Sequence, residues 1–217
     1  MIVNLNLQDK TIIVIGGGEE AEKRINSLLK QDCKIIVISD KINSKITKLS
    51  KSKKITLKKQ KIQDAKFISK LKPYMVITTT TDKKINQKII SAAKKLKIIA
   101  YSSDNPEESD FSNPAIIDFE NTVQIAIFTG GKSPAMSKKL KSKSEKIFKK
   151  IITKQDIAQI KIQKIARNLA KKSIQTQIKR KEYLHSIMSD KKIEQLIKEG
   201  QIKKAEKQAI LMLEKWK

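Results

Sequence analysis

One cysteine and one histidine are the only soft metal-ligating side chains in this chain of 217 residues. Zinc and iron sites built from His and Cys need three or four such ligands, so Cys33 and His185 exclude one and no metal site is expected. A lone cysteine also excludes a disulfide framework. Aromatic residues are 4% of the chain. The core must therefore be made of Ile, Leu, Val and Ala, and there is no series of aromatic faces on which bases could stack. No uninterrupted apolar segment approaches the ~18–20 residues that span a bilayer, so no membrane association is expected. The opening stretch lacks a charged region followed by an apolar run and a small-residue cleavage site, which points to the cytoplasm.

What the chain has in excess is positive charge. Lys and Arg number 48 against 22 Asp and Glu, a formal net charge of +26. Such a protein attracts anions. The lysines are spread along the chain, as on a solvated surface, so a nucleic-acid partner does not follow from them.

The first hundred residues alternate between short β-branched runs and helical stripes. TIIVIG (11–16) reads as a parallel strand buried on both faces. Ala21, Ile25, Leu28 and Leu29 then fall on one helix face. CKIIVIS (33–39), ITLKKQ (55–60, weaker), YMVITTTT (74–81) and KIIAYS (97–102) read as further strands. Ile85, Ile89, Ala92, Ala93 and Leu96 mark a helix between the last two. This alternation predicts an α/β, Rossmann-type doubly wound parallel sheet. After residue 113 the rhythm changes. PAIIDFENTVQIAIFTGG (114–131) reads as two strands turning at Glu120-Asn121. Ser133 precedes Pro134 as an N-cap, and Met136, Leu140, Ile147, Phe148 and Ile151 form the stripe that follows. From 152 onward only helix signals remain. Ala158, Ile162, Ile165, Leu169 and Ala170, continued by Ile174 and Ile178, make one stripe, and a later helix stops at Gly200.

Gly16-Gly17-Gly18-Glu19-Glu20-Ala21 fits G-x-G-x-x-[GA], directly after a buried strand and opening a helix. Gly16 permits the tight turn, Gly18 lets a pyrophosphate approach the backbone, and Ala21 lets the helix pack against the strand. Asp40 follows the second strand, placed to bind an adenosine ribose. An acid there favours NAD over NADP, with Lys41 beside it acting against that preference. Thr79 and Thr80 end a strand on the same sheet edge and are candidates for lining the cofactor site, or for satisfying their own backbone. Asp104, just past the strand 97–102, lies on that edge too. It is either a turn residue of Asp-Asn-Pro or a carboxylate held for proton chemistry.

GGGEEAEKR (16–24), TTTTDKKIN (78–86), SSDNPEESDFSNPAIID (102–118) and FTGGKSP (128–134) occur in this order. Together they resemble precorrin-2 dehydrogenase, the NAD-dependent module of siroheme synthase. The resemblance is close over residues 1–134 and extends to the helical tail only in length and character. It implies oxidation of precorrin-2 to sirohydrochlorin with NAD, in some members followed by ferrous iron insertion, in a homodimer. It implies a Rossmann domain (1–113), a strand-rich dimerisation segment (114–151) and a helical domain (152–217). The aspartate of the family's N-x-x-D segment falls on Asp104, with Tyr101 where many members have asparagine. The family's cofactor contacts fall on Glu19, Glu20, Asp40 and Lys41, and its hydroxyl ahead of the Gly-Gly pair falls on Thr129.

The chemistry fits these residues. Oxidising a carbon framework removes a hydride and a proton, and Asp104 beside a nicotinamide site is the natural general base. The implied substrate carries eight carboxylate arms, which a cationic protein attracts. Lys132 and Ser133 are candidates to hold them, or simply parts of a helix start. Arg24 reads as a surface cation. A competing reading is a basic NAD-sensing or nucleic-acid-binding protein without catalysis, carried by KKLKSKSEKIFKK (138–150). It lacks interleaved aromatics and a helix-turn-helix.

Overall fold

The computed structural model describes residues 2–216. The chain forms two compact units, residues 1–113 and 114–217.

In the first unit, strands β1 (Thr11–Ile15), β2 (Lys34–Ile38), β3 (Thr56–Lys58), β4 (Met75–Thr78) and β5 (Ile99–Ser102) form one parallel sheet in the order β3-β2-β1-β4-β5. The alternation of side chains along β1 divides the core in two. Ile12 and Val14 pack with Ala21, Ile25, Val37 and Ile46 on one face. Ile13 and Ile15 pack with Ile68, Ile85, Ile89 and Ala93 on the other. The first face is covered by α1 (Glu19–Leu28) and α2 (Ser44–Lys51), the second by α3 (Lys66–Leu71) and α4 (Lys83–Lys95). Both α2 and α3 escape the periodicity for one reason. Each buries a single side chain, Ile46 or Ile68, so neither has a repeating stripe. Asn43 and Asp82 cap α2 and α4 by accepting from the N–H groups of Ile46 and Ile85.

In the second unit, β6 (Ala115–Phe119) and β7 (Val123–Ile127) pair as an antiparallel hairpin. Its turn residues Glu120 and Asn121 both have positive φ, 51° and 55°, and the Thr122 N–H donates back to the Phe119 carbonyl at 2.9 Å. Helix α5 (Pro134–Ile151) is capped by Ser133, and none of its side chains is buried. Helices α6 (Lys154–Ser173), α7 (Gln177–Ser189), α8 (Lys191–Lys198) and α9 (Ile202–Leu213) share one core around Ile162, Ala166, Ala170, Tyr183, Ile187 and Leu213. Tyr183 is fully buried there, and its hydroxyl donates to the carbonyl of Ala209 at 2.7 Å.

One detail differs from the sequence reading. The stripe expected through Ile165 and Ile178 runs instead through Ile157, Ile162, Ala166 and Ala170, and Ile165 and Ile178 are exposed. The cause is a break at residues 174–176, where Ile174 ends α6 and Thr176 caps a separate helix. The α8 stop at Gly200 is as expected. The N–H of Gly200 bonds to Ile197 and that of Gln201 to Leu196, with Gly200 at φ 72°.

Candidate active site

The glycine loop is clamped on two sides. The Gly16 N–H donates to the carbonyl of Ile38 at 3.0 Å, and the Gly17 carbonyl accepts from Asn43 at 2.9 Å. Gly16 has φ +114°, and a Cβ on it would press on Thr79. A Cβ on Gly17 would meet the Lys41 carbonyl oxygen and stand 2.9 Å from the Cα of Ile42. On Gly18 it would meet nothing within 4 Å. The loop is therefore closed toward the protein and open at Gly18. Gly18 is also the N-cap of α1 and offers no side chain to it, so the first N–H groups of the helix have no partner within the helix. An open, uncapped helix N-terminus after a buried strand suits an anionic group. Asp40, exposed at the end of β2, completes the set of residues that fit a dinucleotide.

The acidic first turn of α1 is largely paired. Glu20 forms ion pairs with Arg24 and, at 3.4 Å, with Lys23. Glu22 accepts from Lys45 at 2.8 Å and from Asn43 at 2.9 Å, joining α1 to α2, and its carboxyl is held below the ordinary value mainly by the Lys45 hydrogen bond. Glu19 is exposed beside Gly18. Among the described residues, Asp40 accepts only from the N–H of Lys41, at 2.9 Å. The side chain of Lys41 is exposed, while its carbonyl accepts from Ser39 and abuts Gly17.

The two threonine hydroxyls bond within the protein. Thr79 donates its hydroxyl to the carbonyl of Ile15 at 2.7 Å, and Thr80 donates its own to Oδ1 of Asn86 at 2.6 Å. Both hydroxyl protons are thus committed inside the protein. Thr79 supports the glycine turn from beneath, and Thr80 belongs to the network around Asp104. The physical reason is the parallel sheet: β4 lies beside β1, so its end meets the loop leaving β1.

Asp104 is exposed and anchored by one oxygen. Its Oδ1 accepts from Asn86 Nδ2 at 2.8 Å and from the Ser102 hydroxyl at 2.7 Å. Its Oδ2 has no protein partner among the described residues. Ser102 is 2% exposed and receives a hydrogen bond from Thr78, which is fully buried. Asn86 is 1% exposed and also donates to the carbonyl of Thr80. Thr80 and Asn86 thus form a hydrogen-bonded support for the carboxylate, and Thr79, next to Thr80 in the chain, bonds to Ile15 just ahead of the glycine turn. Asn86 is the residue the sequence reading missed. Its signal was there: a polar side chain on the stripe of Ile85, Ile89, Ile90 and Ala93. Replacing Asn86 with Ala strands buried polar partners, so a stability loss of about 1–3 kcal/mol is expected in denaturant unfolding. Turnover should fall with it while NAD affinity holds. A variant as stable and active as the parent would remove Asn86 from this role.

Arg24 is corrected as well. It is no free surface cation. Its guanidinium lies 4.8 Å over the ring of Tyr101 and donates to the Tyr101 hydroxyl at 2.9 Å. Tyr101 faces the α1 side of the sheet, with Phe111 at 5.1 Å, while its neighbour Ser102 serves Asp104. Asn86 and Ser102 are thus the donors to Asp104, and Tyr101 packs the opposite face.

Three expected substrate contacts lie in the second unit. Thr129 bonds through its hydroxyl to Ser133 and Ser137, and Ser133 caps α5, so both hydroxyls are engaged in starting a helix. Lys132 is exposed. Cys33 is half-buried, donates to the carbonyl of Leu28, and has its thiol pushed up by burial. Among the described residues, no three His, Cys, Asp or Glu side chains are grouped to hold a metal ion, and no helix is long and apolar enough to cross a membrane.

This fold and loop define a nicotinamide-dinucleotide-binding domain with a carboxylate anchored at the carboxyl edge of its sheet. The chain belongs to the family described as "Putative NAD(P)-binding", whose model matches residues 3–115. It is 30% identical over 145 residues to a siroheme synthase of Nitrosospira multiformis, covering 65% of this chain and 30% of that protein. It is 25% identical over 210 residues to a siroheme synthase of Actinobacillus succinogenes, covering 97% and 42%. The chain thus spans less than half the length of these curated relatives. Among solved structures, one named SirC, precorrin-2 dehydrogenase, superposes with a TM-score of 0.67 at 19% identity, over 96% of this chain and 99% of that one. That likeness shows a shared fold.

Proposed function

We propose that this protein is a precorrin-2 dehydrogenase, oxidising precorrin-2 to sirohydrochlorin with NAD in siroheme biosynthesis. The observation that carries the reading is Asp104: one oxygen is fixed by Asn86 and Ser102, the other has no partner among the described residues, and Asn86 is itself held by Thr80, whose neighbour Thr79 bonds to Ile15 just ahead of the glycine loop. The similarity to siroheme synthases and to a structure named precorrin-2 dehydrogenase supports the choice of substrate.

Bound NAD supplies the hydride acceptor. The protein supplies the rest. The open backbone at Gly18 and the N-terminus of α1 receive the pyrophosphate, with Gly16 and Gly17 shaping the turn. Asp40 binds the adenosine ribose, and Glu19, Glu20 and Lys41 border that end of the site. Oδ2 of Asp104 takes the proton lost from the macrocycle as the hydride departs. Lys132 and other exposed lysines draw in the carboxylate arms of the substrate.

Removing the Asp40 carboxylate (Asp40→Ala) should weaken NAD about tenfold by calorimetric titration, one hydrogen bond to a charged group being at stake. Stability should not change, because the side chain is exposed and bonds only its own neighbour. An unaltered dissociation constant contradicts the ribose role.

We also propose a homodimer formed by residues 114–151. Phe128, just after β7, and Met136, Leu140, Ile147 and Ile151 of α5 are exposed, and no side chain of α5 is fully buried within the chain. An apolar face of this kind marks an interaction surface. Charging Ile147 and Ile151, 58% and 62% exposed, to Lys should convert a sedimenting dimer into a monomer. A parent chain that sediments as a monomer contradicts the proposal.

The test of the function is incubation of the purified chain with precorrin-2, with and without NAD, followed by absorption. Conversion to the sirohydrochlorin spectrum only when NAD is present is expected. No conversion overturns the reading. A parallel arm with ferrous iron reads chelation, for which the same carboxylate would accept the pyrrole protons.

A further inference from the structure

The second unit contains a groove that the dehydrogenase reading does not use. It lies between α6 and α7, has a volume of about 710 Å³, and so falls in the ~300–1,000 Å³ range of small-molecule sites. Arg167 and Lys171 of α6 and Arg180 and Lys181 of α7 stand along it. Arg167 and Lys171 stand one turn apart on the same face of α6, and the adjacent Arg180 and Lys181 bring two cations from α7. Between them lie apolar side chains, Ala170, Leu184 and Met188. Gln163 donates to the carbonyl of Leu184 at 2.9 Å and ties the two helices at one end. The connection 174–176 joins them at the other.

No acid lines this groove. Glu182, the only acid of α7, is absent from its walls, and Asp156, the only acid of α6, is held in the capping box with Thr153. None of the four cations forms an ion pair among the described residues. Cations gathered without counter-charges on either side of an apolar strip repel one another, and an anion relieves that repulsion. The ligand that matches has a flat apolar body and carboxylates on both edges. A nucleic-acid strand matches less well, because no Phe, Tyr or Trp lines the groove and His185 is the single ring there, too few for a series of stacked bases.

We propose that the α6–α7 groove binds a tetrapyrrole polycarboxylate, its macrocycle against Leu184 and Met188 and its arms on Arg167, Lys171, Arg180 and Lys181. The choice of this class rests on the proposed function, since the same macrocycle is its substrate. Guanidinium groups bind carboxylates through two parallel hydrogen bonds, so Arg167 and Arg180 carry most of the affinity.

The probe is uroporphyrin, a stable tetrapyrrole with eight carboxylates, titrated by fluorescence into the full chain. The double variant Arg167→Glu/Arg180→Glu should bind it about tenfold or more weakly. Its NAD dissociation constant should be unchanged, because both residues lie outside the unit that holds the glycine loop. Arg167→Gln/Arg180→Gln, which removes charge without reversing it, should give the same direction and covers the case in which reversal disturbs the helices. Equal uroporphyrin affinity in parent and both variants overturns the proposal. So does displacement of the probe by a single-stranded oligonucleotide at equal charge concentration, which would assign the groove to nucleic acid. Precorrin-2 oxidation by the parent chain, measured alongside, decides the enzyme reading separately: its failure leaves the uroporphyrin comparison intact as the test of the groove.

Discussion

Replacing Asp104 with Asn is expected to lower turnover by about 10²–10⁴, the usual contribution of a positioned general base. The fold and NAD affinity should be retained. The substitution is nearly isosteric, and the environment dictates how the amide sits. Oδ1 of Asp104 accepts from two donors, Asn86 Nδ2 and the Ser102 hydroxyl. An amide at this position keeps both bonds by turning its carbonyl oxygen toward them. Its NH₂ then occupies the place of Oδ2 and has no lone pair to take a proton. The loss should therefore appear in kcat, with little change in KM or unfolding midpoint. An Asp104→Asn variant that turns over like the parent would remove the carboxylate from the reaction.

The second large effect separates two adjacent glycines. Gly18→Ala should weaken NAD by about ten- to a hundredfold, the worth of one charge-assisted hydrogen bond. The methyl would stand where the pyrophosphate meets the backbone. It meets no protein atom within 4 Å, and Gly18 has φ −87°, which alanine adopts freely. The stability cost should therefore be about 1 kcal/mol or less, the poorer N-cap preference of alanine. Gly17→Ala should behave in the opposite way. Its Cβ would collide with backbone of the β2–α2 connection at Lys41 and Ile42, and backbone cannot rotate aside. A drop of a few kcal/mol in unfolding free energy is expected. Thermal melting and NAD titration of the pair check this directly. Equal stability losses in the two variants would show that the loop is not open at Gly18.

The same contrast explains what could be read before the structure was known. Buried parallel strands are continuous β-branched runs, so TIIVI and KIIVI identify themselves, and the glycine turn follows from chemistry that only glycine permits. Ser133-Pro134 and Gly200 were legible because caps and stops depend on a single residue. What was illegible depends on partners distant in sequence. Thr80, Asn86 and Ser102 become a support for Asp104 only when β4, α4 and β5 come together. Arg24 meets Tyr101 across 77 positions of chain. Short helices such as α3 bury one residue and leave no period to detect. The stripe running on through Ile178 misled for a related reason. Isoleucine is so abundant here that apolar residues recur at helical spacing even past a break.

The account depends on a hydride and a proton leaving one macrocycle at the edge where β1, β4 and β5 end. The measurement that tests it most directly is a single turnover. Enzyme in excess is mixed with equimolar precorrin-2 and NAD, and NADH fluorescence is followed for the parent chain and for Asp104→Asn. The account predicts one NADH for each macrocycle oxidised by the parent, and formation slowed by the factor given above in the variant. No NADH from the parent, or equal rates from both proteins, would contradict it.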